Sequence, residues 1–124
     1  MMAKATGIGG VFFRCADPAA TRAWYAEHLG LPIDDYGCTF APDADPKAQT
    51  IWSPFKADTD YFGTGGQDFM VNFRVDDLDV LLAGLAEKGI RCVGETPDES
   101  YGKFGRIIDC DGRRIELWEP KTPF

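Results

Sequence analysis

Apolar and aromatic positions recur along the chain in two matching blocks. Residues 8–16, IGGVFFRCA, form a short apolar run bounded by glycine and by Asp17-Pro18, and they predict a strand. Asp17 suits a helix N-cap and Pro18 the first helical position. The following AATRAWYAEHL places Thr21, Trp24, Tyr25 and Leu29 at helical spacing, with Gly30 as the terminator. Residues 68–76, DFMVNFRVD, repeat the strand signal, and Asp77 caps a second helix through DLDVLLAGLAEKG. Its apolar positions Val80, Leu81, Leu82 and Leu85 predict a buried face, and Gly89 a stop. Aligning GVFFRCAD from Gly10 with MVNFRVDD from Met70 matches Val11 with Val71, Phe13 with Phe73, Arg14 with Arg74 and Asp17 with Asp77. Ala26-Glu27 then meets Ala86-Glu87 at the same offset. Self-similarity of this kind is a clue to a duplicated structural unit.

After each helix the pattern shortens to strands. They are expected at about 32–41 and 48–55 in the first half, and at about 91–97, 102–109 and 113–118 in the second. Cys110-Asp111-Gly112 marks a tight hairpin turn. Residues 56–67, KADTDYFGTGGQ, are rich in Gly, Thr and Asp and read as a linker or a lid over a site. Tyr61 and Phe62 within it belong to that lid, or to an ordinary loop.

Composition narrows the classes. A chain of 124 residues with 44% apolar content suits one domain with a buried core. A net charge of −7 argues against nucleic-acid and anionic-membrane partners, which need a basic surface. No apolar run is long enough to cross a bilayer, and MMAKATGIGG lacks the apolar stretch of a secretory signal, so a cytoplasmic location is the expectation. Cys15, Cys38, Cys92 and Cys110 contain no C-x-x-C pair, so they read as buried or incidental thiols.

The C-terminal run YGKFGRIIDCDGRRIELWEP resembles the closing hairpin of glyoxalase and bleomycin-resistance type proteins, with Cys110 standing where they usually have proline. NFRVDDLDVLLAGLAEKGI is similar to the start of their second module, and VFFRCADPAATRAWYAEHLGL to the start of their first. The chain thereby resembles the vicinal oxygen chelate superfamily over nearly its whole length. The resemblance implies an α+β fold of two βαβββ modules that curl into an incomplete barrel around a cavity. It places module one at about 6–56, the linker at about 57–67 and module two at about 68–120, in a single domain over 1–124. It also implies a homodimer. The superfamily includes lyases, dioxygenases, epimerases, transferases and metal-free antibiotic-binding proteins, so fold alone does not settle function.

Metal-using relatives place ligands on the first and last strands of each module. At the positions the resemblance assigns, this chain has Gly10, Met70, no carboxylate near Ile51-Trp52-Ser53, and Glu116. One carboxylate does not make a catalytic divalent site, so neither metal nor cofactor is expected. His28 is the only histidine and falls near the end of the first helix, where a solvent-side position is expected.

Strand alternation groups the remaining candidates. Met70, Asn72 and Arg74 share a side, as do Arg114, Glu116 and Trp118, and Gly10, Phe12 and Arg14. Phe104 and Arg106 face inward if the family's register holds, and Trp52 and Tyr101 are candidate walls. The expected site is thus a small-molecule pocket with Glu116 at its centre and Phe12, Trp52, Met70, Asn72, Tyr101, Phe104, Arg106 and Trp118 around it. Glu116 is either a general base, an acceptor for a donor-rich ligand, or half of a structural ion pair. Asn72 is a ligand contact or a satisfied core amide. The leading expectation is a metal-independent small-molecule binder. The alternatives are a glyoxalase-like lyase, isomerase or dioxygenase, with an atypical metal site or with Glu116 as base, and a non-catalytic interaction module.

Overall fold

Asp17 opens the first helix as its sequence predicts. In the computed structural model, which describes residues 8, 10–41, 48 and 50–121, its side chain accepts from the Ala20 amide at 3.1 Å and Pro18 lies in the first turn. Gly30, left-handed at φ 68°, closes α1 (Pro18–Leu29). After β1 (Asn72–Arg74), Asp77 caps α2 (Leu78–Glu87) by accepting from the Val80 amide. The Glu119 carboxylate accepts from the Leu78 amide at 2.8 Å, an anion at a helix N-terminus where the peptide dipoles favour it.

Three strands follow: β2 (Asp98–Glu99), β3 (Gly102–Ile108) and β4 (Arg114–Pro120). The sheet order is β1-β4-β3-β2, with β1 parallel to β4 and the other pairs antiparallel. The parallel pair needs a crossover, and α2 lies on it. This is a complete βαβββ unit. The expected strand at 91–97 does not form a ladder. Val93 donates to the Arg106 carbonyl at 2.7 Å, but pairing starts only at Asp98, after Pro97, which has no amide hydrogen to give. The hairpin signal Asp111-Gly112 is realised in the 109–113 turn between β3 and β4.

Residue alternation divides the sheet into two faces. Leu117, Ile115 and Ile107 point to one face and form a core with Leu78, Leu85 and Tyr25, so both helices cover that side. Gly105 sits opposite Leu117 in register; a Cβ there would lie 3.2 Å from Leu82 Cδ1, so the missing side chain lets α2 approach. The helix phase corrects the sequence reading. Leu78, Leu81, Leu82 and Leu85 share the inner stripe, whereas Val80 is exposed.

A polar network joins α1 to the β3–β4 turn. The Tyr25 hydroxyl donates to Asp109 at 2.6 Å, and Thr21 to Asp111 at 2.6 Å. Arg113 pairs with both carboxylates, donates to the Arg14 carbonyl, and lies 4.6 Å from the centre of the Phe13 ring. Burial, reinforced by Asp109, pushes the Tyr25 hydroxyl far above the usual phenol range, so it is a permanent donor.

The first half contributes less regular structure than its pattern predicts. Strands were expected at 8–16, 32–41 and 48–55. Among the described residues these segments show a single bridge, Ile33 with Cys38; positions 9 and 49 and the N-terminal stretch 1–7 lie outside the described residues. Alternation signals a strand only where a neighbouring strand completes the ladder, and among the described residues none pairs with these segments. His28 is another correction. It is 12% exposed and packs on Trp24 at 4.9 Å between ring centres, rather than facing solvent. Among the described residues, no helix is long and apolar enough to cross a membrane.

Candidate functional site

The face opposite the core carries a row of polar groups that sheet register alone aligns. Asn72 of β1 pairs with Glu116 of β4, which pairs with Arg106 of β3. Their side chains meet. The Asn72 amide donates to Glu116 Oε1 at 2.9 Å, and Arg106 Nη1 lies 3.7 Å from Oε2. Glu116 is only 6% exposed, so its charge is held by these partners rather than by water. Arg106 Nη2 donates to the Glu95 carbonyl at 3.3 Å. Its Nε is buried, with no hydrogen-bond partner among the described residues.

The next row along the sheet is aromatic. Phe104 of β3 pairs with Trp118 of β4, and the rings lie parallel within 3°, 6.1 Å apart. Tyr101 meets Phe104 edge-on at 5.8 Å. Gly102 permits this: a Cβ there would overlap Trp118 Nε1. The structure thus brings together Glu116, Asn72 and Arg106, and beside them Phe104, Trp118 and Tyr101. Met70 is half-buried, two residues before Asn72. Phe12 and Trp52 are 92% and 79% exposed. No ring contact or hydrogen bond among the described residues joins them to the row.

One residue reaches the row from the segment between the two halves. The Tyr61 hydroxyl donates to Glu116 Oε2, and the Arg106 guanidinium lies 5.0 Å from its ring centre. Phe55 stacks on Tyr61 at 5.6 Å and Phe62 meets both rings. Burial and the adjacent Glu116 carboxylate raise the Tyr61 hydroxyl above the usual phenol range, which keeps it a proton donor. The segment is anchored from below. Arg114 Nη1 donates to the Tyr61 carbonyl at 3.3 Å. Gln67 exchanges two hydrogen bonds with the Arg114 backbone, at 2.8 and 2.9 Å, much as a neighbouring strand would. The aromatic pair in a glycine-rich stretch was the only signal for Tyr61, and nothing in the sequence singled out Gln67.

Tyr61 closes the site. Two open hollows, of about 380 and 180 Å³, lie at its margin: one over residues 53–59, which include Phe55, the other between α2 and β3 at Leu82, Thr96 and Phe104. Neither is lined by Glu116. Among the described residues no three His, Cys, Asp or Glu side chains converge as a metal site would need.

A family model described as a glyoxalase-like domain matches residues 10–118. The chain is similar to a glyoxylase/bleomycin resistance protein/dioxygenase domain from Frankia sp. EAN1pec, with 19% identity, a TM-score of 0.57, and coverage of 98% of this chain and 96% of that one. It is also similar to TnmS3, an antibiotic binding protein from Streptomyces sp. CB03234, with 24% identity, a TM-score of 0.52, and coverage of 86% and 88%. It spans 46% of a NAD-dependent benzaldehyde dehydrogenase from Legionella pneumophila over 40% of its own length, with 19% identity and a TM-score of 0.35, too slight a likeness to bear on fold. No curated protein matches. At these identities the first two structures speak for the glyoxalase/bleomycin-resistance-like fold alone.

Proposed function

The chain belongs to the glyoxalase-like domain family of the vicinal oxygen chelate superfamily, and from that premise we propose that it binds a small molecule at Glu116 without a metal. The observation that carries this reading is the row Asn72–Glu116–Arg106, a buried carboxylate on the sheet face turned away from the core. The aromatic pair Phe104 and Trp118 beside it supplies the apolar wall that such ligands need. Arg106 Nε adds a buried donor that a ligand acceptor would satisfy.

The donor set does not fit a catalytic divalent cation. The family's ligand positions hold Gly10, Met70 and Glu116. Both Glu116 oxygens already accept from Asn72 and Tyr61, and the Arg106 guanidinium beside them opposes a second cation. A sequestering or resistance-type role is the form of binding this supports.

The test is a thermal-shift screen of small molecules rich in hydroxyl and amide groups against the wild-type protein and Glu116→Gln. Binders are expected whose affinity falls about 10- to 100-fold in the variant, the cost of losing a charged hydrogen bond. Circular dichroism checks that the variant is folded. Binders indifferent to Glu116 would overturn the proposal. Turnover that disappears with Glu116→Gln would replace binding with general-base catalysis.

The expected homodimer belongs to the same reading. Val11, Phe12, Ile51 and Trp52 are exposed apolar side chains of the kind that a second copy would cover. Light scattering at micromolar concentration should give twice the chain mass; a monomer mass would refute it.

A further inference from the structure

The position of Tyr61 says what kind of molecule this site accepts. Its phenol is seated in the site as a ligand would be. The hydroxyl donates to the Glu116 carboxylate, one ring face lies under the Arg106 guanidinium, and Phe55 stacks on the same ring. Neither of the two hollows described above is lined by Glu116.

The contacts of Tyr61 are of two kinds. Those made by its backbone belong to the loop: Thr59 Oγ1 accepts from the Tyr61 amide at 3.3 Å, and Arg114 Nη1 donates to its carbonyl. Those made by its side chain belong to the site. A side-chain rotation breaks the second set and leaves the first intact, so the ring can leave without unfolding the segment. Gly63 permits the anchor, because a Cβ there would lie 2.9 Å from Arg114 Nε.

The geometry points to Tyr61 as a built-in competitor: the ligand is a hydroxyaromatic whose hydroxyl replaces that of Tyr61 on Glu116 and whose ring replaces the Tyr61 ring beneath Arg106. This inference rests on the binding proposed at Glu116 and adds a chemical class to it. Three features select that class. The carboxylate demands a donor. The guanidinium face favours a flat π-system. The Phe104–Trp118 pair next to the row extends an apolar wall for a second ring. An alkyl alcohol meets only the first requirement, and an aryl ether only the last two.

The probe is 2-naphthol, with 2-methoxynaphthalene as the matched compound that has no hydroxyl to donate. Affinities are read by titration calorimetry on the full chain. Wild-type protein must break the Tyr61–Glu116 bond before it binds, so its apparent affinity is reduced by the closed fraction. Tyr61→Phe keeps the ring packing against Phe55 and removes only that bond. It should bind 2-naphthol about tenfold more tightly than wild type. The gain should vanish with 2-methoxynaphthalene, and in the double variant Tyr61→Phe/Glu116→Gln.

Equal or weaker 2-naphthol binding by Tyr61→Phe, with its circular dichroism spectrum unchanged, would overturn the inference. So would absence of 2-naphthol binding to both proteins, or an equal gain with the methyl ether. These results leave the proposed function standing if the wider screen finds other ligands that depend on Glu116. A screen in which no ligand depends on Glu116 removes the proposed function itself, whatever Tyr61→Phe does.

Discussion

Exchanging Asp109 for alanine is expected to lower the free energy of unfolding by about 3–5 kcal/mol, the usual cost of removing one partner from a buried charged pair. Its side chain is fully buried and accepts from four donors: the Tyr25 hydroxyl at 2.6 Å, the Asp111 and Arg113 amides at 2.9 Å, and Arg113 Nη1 at 3.1 Å. Alanine leaves the Tyr25 hydroxyl and the two amides without this acceptor and Arg113 Nη1 with Asp111 alone. The two backbone amides lie in the hairpin turn, and Tyr25 is the contact through which α1 enters the core, so the loss falls on both. Against a total of about 5–15 kcal/mol for a domain, the variant should be marginal at room temperature. Tyr25→Phe removes one donor, leaves the carboxylate three partners, and should cost about 1 kcal/mol. Urea denaturation followed by tryptophan fluorescence measures both. An Asp109→Ala protein within 1 kcal/mol of wild type would mean that the turn and α1 are held by something other than this network.

Leu117→Ala is expected to cost about 3–5 kcal/mol through lost burial and the cavity left behind. Leu117 is 0% exposed on the central strand β4, with Phe73 and Gly105 as its register neighbours. Both flanking strands are hydrogen-bonded to β4, so the backbone cannot close in, and Gly105 has no side chain to lean across. Val80→Ala, on the exposed side of α2, should change stability by no more than about 0.5 kcal/mol. The same urea titration compares the pair. A small loss at Leu117 would contradict its place at the centre of the core.

Much of the polar row was legible because strand period is strict. Alternation put Glu116 with Trp118 and Asn72 with Met70, and the register implied by the family resemblance put Phe104 and Arg106 of β3 on the same face. The structure supplies the partners, Arg106 opposite Glu116 and Phe104 opposite Trp118, in the antiparallel ladder. The helix starts were equally readable, since an aspartate cap acts on amides three residues away and needs no tertiary context.

Long-range placement was less legible. Helical spacing gave the right stripe but included Val80 and passed over Leu78, because the contact with Gly105 sets the phase of α2 and is distant in sequence. His28 looked solvent-facing until Trp24, one turn earlier, covered it. Tyr61 stood out only as an aromatic among glycines. That it reaches Glu116 depends on Gln67 and Arg114, whose contacts with the segment are side chain to backbone and leave no periodic trace. Phe12 and Trp52 are written in strand-like runs, yet a run becomes a wall only when a neighbouring strand pairs with it.

Asn72, Glu116 and Arg106 come from three adjacent strands, so the distances between their backbones are those of the ladder, about 4.8 Å from one strand to the next. The sheet is therefore a ruler for the site. Sequence changes in the 56–67 segment alter what covers the carboxylate and how readily it is uncovered, while the spacing of amide, carboxylate and guanidinium stays fixed by hydrogen bonds those changes do not touch. Affinity can be retuned there without rebuilding the recognition element, and the entropy of aligning its three groups is lost once, on folding, rather than at each encounter with a ligand.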